Sequence, residues 1–497
     1  MLIKLKEKYR EEIGDGLSDR AFDLYIYDLI LQGKIYDVLE YPFYQEYQGS
    51  ENSVYIPLQQ RRPSVKVNIC KKVVDDSVSL LFSEGHFPKI HTADKDTRDA
   101  LQLVAKHKKL NEVMIEAAFW GSIGSVAIWV GVLDKELFFR PMKSVYLTPE
   151  FDNEMNQNLV SVTEKYQVSG ADLVLAGYPV ADKDLEEPHW FMRIWNATEE
   201  VTYKPWKVSD ESKEDFKLTI DNVTKHNLGF VPIVWIKNLP GGDLVDGQCS
   251  FSDGIDLMIE NDYQLSQCGR GLRYSADPTL LIKAEGGLAT DDEIVKSSDR
   301  ALVVGEDGDA KLLEIAGSAA AAVDKHVRNL REFALEVMHG NRVNTDKLSV
   351  AQSGKAMEMM NQDLIWLSDK LRTTYGEGGL ISLLKMTLKI LAKNKISIND
   401  KPLPPVNPNE EITLVWNPWY SYTPDDMQKM AVALGVLTEK GLLSRETAVR
   451  SLQHEFDFED VDMELKQIDS DVKVQDQGGS TSGKSNVDNK LEGTLNV

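Results

Sequence analysis

SFSDGIDLMIENDYQLSQCGRGLRYSAD, residues 250–277, decides the architecture of this chain. Ile255, Met258, Ile259, Leu265 and Leu272 recur at helical spacing, Ser250 and Ser252 are available as caps, and Pro278 ends the run. Residues 279–315 then carry the short apolar runs TLLIKA, RALVV and AKLLEI between Gly-, Asp- and Ser-rich turns, which predicts a few strands around a small helix. Helical pattern resumes over residues 319–339, with Val323, Val327, Leu330, Ala334 and Val337 on one face and the pair Gly340 and Asn341 as the stop. The result is a helical hairpin carrying a small β-rich tip.

On its C-terminal side the hairpin gives way to NRVNTDKLSVAQS, residues 341–353, a loop too polar for a core and framed by Arg342, Lys347 and Lys355. Taken alone it reads as a solvated connector. Ser349 and Gln352 have the spacing of a capping box for the helix that follows. That helix can run from Gly354 to Asn394, roughly 60 Å at about 1.5 Å per residue, with Gly376, Gly378 and Gly379 as kink points. Such a length suits a rigid spoke better than a pocket. A proline-rich connector, KPLPPVNPNE, leads to one strand, ITLVWNP, and then to helices over residues 423–437 and 442–452, the second capped at Ser444 after a turn at Gly441. FEDVDMELKQI supplies a third, acidic helix, and beyond Asp469 the lack of periodic apolar residues predicts disorder.

On the N-terminal side, residues 61–87 read as an extended start after Pro63 and then a helix with Ile69, Val73, Val74, Val78 and Leu81 on one face. One helix is expected over residues 100–120, followed by strands at 125–132, 137–140 and 145–148, further strands at 159–167 and 190–206, and a buried strand within residues 226–242. Residues 113–133 approach transmembrane length, yet Glu116, three glycines and the β-branched second half indicate a buried helix followed by a strand. The fold class is α+β.

The chain has 497 residues, enough for two to four domains with substantial cores, and 42% hydrophobic content. Its 56 basic and 79 acidic residues leave a net charge of −23, which argues against ordinary DNA binding but not against a surface that DNA slides past. Cys70, Cys249 and Cys268 have no paired spacing, so a disulfide framework and a cysteine metal site are not expected. The charged start MLIKLKEKYREEIGDG lacks the apolar centre of a signal peptide.

The sharpest motif is GGSTSGKS, residues 478–485, which fits the phosphate-binding pattern in every position. It reads as a decoy, because only twelve residues follow it and neither the feeding strand nor the helix of a working loop has room. His86 and His91 lack a metal-binding arrangement. Ser252, Asp253 and Asp256 are explained by capping and first-turn acid placement, and GEDGD, residues 305–309, by a strand turn. No oriented base stands beside a nucleophile, so neither an enzyme nor a cofactor is expected.

Several pieces nonetheless occur in a telling order. They are N-x-x-K-K-V-V-D at 68–75 leading into SLLFSEG, LGFVPIVWIKN before S-D-G-I-D-L, an S-G-K-A helix start at Ser353, and G-L-L-S-R-E-T-A at 441–448 before D-V-D-M-E. In this order the chain, over roughly residues 61–468, resembles the portal proteins of tailed bacteriophages, the ring through which DNA is packaged and ejected.

The resemblance implies a portal-type ring subunit with an α/β wing (1–249), a helical-hairpin stem (250–277 and 317–340), a small α/β clip (278–316), a tunnel loop (341–353), a long kinked helix with wing return (354–420), a helical crown (421–469) and a polar tail (470–497). It implies a homo-oligomeric ring, a dodecamer in the virion, at the capsid portal vertex, assembled in the host cytoplasm with major capsid and scaffolding proteins and without a membrane. Double-stranded DNA would pass Asn341, Arg342, Asn344, Lys347 and Lys355. The terminase large subunit and then a head-completion or adaptor protein would meet Lys283, Glu285, Asp291, Asp292, Glu293 and Lys296. The alternatives are a P-loop ATPase built on residues 478–485 and a head-completion or scaffold-type ring that never touches DNA. The first sixty residues and the tail match no motif of the family.

Overall fold

The computed structural model describes residues 1–48, 54–152, 158–213, 215–243, 245–276, 279–283, 309–313, 317–341, 354–394, 396–398, 401–420, 424–456 and 461–478. They fall into two compact units, residues 1–345 with 358–419, and residues 346–357 with 420–497. Helix and sheet are mixed throughout the first unit, as the α+β reading expects.

The first unit opens with α1 (Leu2–Ile13) and α2 (Asp19–Leu31), the latter capped by Ser18, whose hydroxyl accepts from the Ala21 amide at 3.3 Å. Strands β1 (Tyr41–Pro42), β2 (Tyr47–Gln48), β3 (Val54–Tyr55) and β4 (Arg61–Arg62) follow. Next, α3 (Ile69–Phe82) is capped by Asn68 and buries its whole predicted stripe of Ile69, Val73, Val74, Val78 and Leu81. After β5 (Lys89–His91), the single helix expected over 100–120 is two, α4 (Lys95–His107) and α5 (Leu110–Gly121). The break falls in a run of bases, Lys106 to Lys109, where Lys109 turns left-handed at φ 50°; cations complement the end of α4 and the apolar stripe restarts at Leu110.

β6 (Ser125–Leu133) and β7 (Glu136–Lys143) form a hairpin through Asp134 and Lys135, whose φ values of 51° and 67° match a tight primed turn. β8 (Leu147–Phe151), β9 (Leu159–Ser169), the short α6 (Gly170–Leu175), β10 (Pro188–Trp195), β11 (Glu199–Tyr203), β12 (Trp206–Lys207) and β13 (Ile220–Lys225) build a second sheet in the order β13-β11-β10-β9-β8, with β12 beside β10. β14 (Ile233–Lys237) returns to the first sheet and completes the order β14-β6-β7.

The predicted hairpin is present as α7 (Ile255–Ala276), the antiparallel pair β15 (Thr279–Lys283) and β16 (Asp309–Leu313), and α8 (Gly317–Val337). The second predicted apolar run, RALVV, lies outside the described residues. The long helix is built from α9 (Gly354–Met360), α10 (Gln362–Leu371), a nine-residue π-helix (Arg372–Leu380) and α11 (Ile381–Lys393). Glycines at 376 and 379 let neighbours approach the wide π turns: a Cβ on Gly376 would collide with the Trp416 ring, and one on Gly379 would lie 2.6 Å from Ile236. β17 (Ser397–Ile398) and β18 (Lys401–Pro402) pair with each other, and β19 (Thr413–Val415) pairs with β5.

One core joins α1, α2, α3, α5, α7, α10 and α11, and the first sixty residues belong to it through Leu5, Tyr9, Phe22, Ile26, Ile30, Tyr36, Leu39 and Phe43. Among the described residues no helix is long and apolar enough to cross a membrane.

The second unit contains α12 (Pro424–Glu439), α13 (Arg445–Phe456) and α14 (Val461–Gly478). Gly441 turns at φ 68°, and Ser444 caps α13 by accepting from the Thr447 amide at 3.1 Å, both as expected. Arg445 pairs with Asp469 at 2.7 Å, linking α13 to α14. Contrary to the expectation of disorder beyond Asp469, α14 continues to Gly478: neither Gly nor Pro interrupts it, and a polar helix needs no apolar stripe to persist beside a paired neighbour. The phosphate-loop match begins at that terminal glycine, and its remainder lies outside the described residues.

Candidate functional site: the rooted hairpin

α7 and α8 are antiparallel neighbours, since β15 and β16 pair at one end while at the other Gly254 leaves room for Met338, which a Cβ there would strike. α8 stops where predicted, but by a different residue. His339 takes the left-handed conformation at φ 54°, and the Gly340 amide reaches back to the Leu335 carbonyl at 2.7 Å. Gly340 serves closeness instead: a Cβ would sit 2.7 Å from Val73 Cγ2. Burial on α8 centres on Leu330, Ala334, Leu335 and Met338, with Val323 and Val327 half-buried. Val337, placed on the inner face by its spacing, is 44% exposed at the margin of that stripe, beside Phe333 at 54%.

The root of α7 is fixed by residues 61–67, which run along it. Asp262 accepts from the Val67 amide at 2.8 Å and from the Tyr36 hydroxyl at 2.9 Å. One turn on, Ser266 Oγ accepts from the Val65 amide at 3.0 Å, while Tyr263 donates to the Arg61 carbonyl at 2.9 Å. A further turn on, Arg270 pairs with Glu46 and holds its carboxyl below the usual range. Asp262, only 1% exposed, has its pKa pushed up to about 6 by burial, against the two donors that favour its anion. Arg61 is equally buried; its guanidinium donates to the Phe43 carbonyl at 3.3 Å and to Tyr55 Oη at 2.9 Å, beside Glu46 at 3.6 Å.

Asp253, Asp256 and Glu260 are exposed around the start of α7, whereas α8 exposes both signs, Lys325, Arg328 and Arg331 beside Asp324, Glu332 and Glu336, with Arg328 paired to Asp324 at 3.0 Å. Asp256 stands in the first turn of α7 as expected and accepts from the Leu2 amide at 3.5 Å, whereas Ser252 donates to Asp253 at 3.1 Å instead of capping a helix amide.

Of the residues singled out for a DNA-facing loop, Asn341 directly follows the α8 terminus and is half-buried, and Lys355 is the second residue of α9. Arg342, Asn344 and Lys347 lie outside the described residues, as does the proposed capping box. Of the partner-facing set, Lys283 ends β15 opposite Asp309, and Glu285, Asp291, Asp292, Glu293 and Lys296 lie outside the described residues. The Tyr36, Arg61, Val65 and Val67 partners of α7 were not legible in the sequence. The polar run Asn261, Asp262 and Tyr263 inside an apolar-spaced helix was the available signal.

His86 is a structural link, its ring nitrogens 2.8 Å from Ser83 Oγ and 3.0 Å from the Trp419 carbonyl. Among the described residues no group of three His, Cys, Asp or Glu side chains could hold a metal, and Cys70, Cys249 and Cys268 are free thiols.

A family model described as phage portal protein, SPP1 Gp6-like, matches residues 32–478. No curated protein matches the chain. Solved structures that match include the neck of an empty GTA particle computed with C6 symmetry, 11% identical, covering 77% of this chain and 88% of that one at a TM-score of 0.34.

Proposed function

The chain belongs to the phage portal protein family, SPP1 Gp6-like, and we propose that it is the subunit of a homo-oligomeric ring, a dodecamer, at one capsid vertex. The ring conducts double-stranded DNA during packaging and ejection and docks the terminase large subunit, then head-completion proteins. The observation that carries this reading is the rooted hairpin. Three successive turns of α7 are tied to residues 46–67, so the β15–β16 ladder stands at one end of a fixed helix pair while residues 341–353 depart from the other. In this reading the partner-facing tip and the DNA-facing loop grow from opposite ends of that pair.

In this reading residues 1–249 and 354–420 form the wing, 250–277 and 317–340 the stem, 278–316 the clip, 341–353 the tunnel loop and 421–469 the crown. α14 adds residues 470–478 to the crown. The net charge of −23 suits a conduit, because a predominantly acidic wall repels phosphate and keeps the duplex mobile, while a few cations at the constriction make brief contacts that salt weakens. The subunit supplies no chemistry of its own in this role. Electron microscopy of the purified full-length protein tests it: rings near twelvefold symmetry with a duplex-wide hole are expected. A closed ring with no such hole would move the assignment to a protein-only connector.

A further inference from the structure

The chain makes its last pass over the first unit as residues 413–419, and four contacts hold it there. β19 pairs with β5, the Asn417 side-chain amide donates to the Gly85 carbonyl at 2.9 Å, and His86 contacts the Trp419 carbonyl at 3.0 Å. The fourth is Arg372, the first residue of the π-helix. Its guanidinium lies over the Trp419 ring, 3.2 Å from the centroid, and 4.8 Å from the centroid of Trp416, while Nη2 donates to the Asn417 carbonyl at 3.2 Å. Its Nε is buried without a hydrogen-bond partner, and among the described residues the acid that acts on its charge is Asp369, which forms no ion pair with it. Burial lowers its pKa to about 10.

From this geometry we infer that Arg372 is a positioning residue, a clamp that fixes residues 413–419 to the long helix and so sets the point from which the chain departs toward α12. A three-residue strand cannot hold such a segment alone. A flat cation suits contact with two indole faces, and a half-buried guanidinium with no ion-paired carboxylate, Asp369 acting on it only at longer range, is directed to those rings rather than to charge pairing. Gly376 belongs to the same device, because the Trp416 ring lies where its side chain would be. The clamp rests on contacts within the first unit and does not depend on the ring assignment.

Hydrogen exchange on the full-length protein tests the clamp, comparing the wild type with Arg372→Lys and Gly376→Ala. Lysine keeps the charge and loses the planar contact; alanine places a Cβ against the Trp416 ring. Both are expected to lower protection of the amides over residues 413–420 by roughly tenfold, with a red-shifted tryptophan emission and unchanged protection in α3 and α7. Wild-type protection over 413–420 in both variants would overturn the inference. So would an equal loss across α3, α7 and residues 413–420, which would make Arg372 an ordinary core residue.

Discussion

Asp262 carries a carboxylate into the middle of α7, where burial disfavours its charge more than the Tyr36 and Val67 donors restore it. With the folded pKa near 6 and the ordinary value 3.8, the native state holds the extra proton between those two values. Stability from this residue is therefore greatest below about pH 4 and is lost as pH rises through 6, a difference on the order of 3 kcal/mol. Asn fits the same site, its oxygen accepting from Val67 and its amide facing Tyr36. Asp262→Asn should melt increasingly above the wild type as buffers are stepped from pH 4 to pH 7. A constant gap across that range in thermal melts would show that Asp262 does not titrate there. The sequence displayed this carboxylate at helical spacing but not its consequence, because the residues that meet it lie some two hundred positions away and donate through backbone and hydroxyl groups that no side-chain pattern announces.

Elements with a strong period were readable, and those made by tertiary context were not. The α3 stripe and both hairpin helices followed from apolar spacing alone, whereas the split between α4 and α5 turned on one left-handed lysine, and the glycines at 376 and 379 signalled a π-helix only once their neighbours were known. The sharpest case is the N-terminal pair. The family match begins at residue 32, yet α2 carries Asp28, which receives Lys143 at 2.9 Å, and Arg20, which grips Asp246 at 2.6 and 2.8 Å. Cutting the chain at residue 32 would remove the partners of Lys143 and Asp246 and strip α1 and α2 from the core, exposing the apolar residues they cover. The 32–478 fragment should lack a cooperative melt and fixed near-ultraviolet circular dichroism. A sharp transition at the full-length temperature would refute this.

At the scale of the whole molecule the predictions concern traffic and partners. Replacing Arg342 and Lys347 together with Glu should leave assembly intact and impair packaging or retention of DNA. Unchanged packaged length in a complementation assay would remove those residues from the conduit. Reversing Asp291, Asp292 and Glu293 should abolish terminase pulldown, and undiminished capture would place docking elsewhere. Both substitutions lie beyond the ends of a well-defined frame, and for the second set that frame has a wider meaning. Lys283 and Asp309 are direct partners across the β15–β16 ladder, so residues 284–308 enter and leave the fold through two adjacent positions. Joining two such paired positions costs little more when the intervening segment lengthens, since the closure penalty grows only with the logarithm of its size. The ladder thus works as a socket: a sequence inserted there can diverge without renegotiating the fold beneath, and under the proposed function the choice of docking partner could then evolve separately from the rest of the subunit.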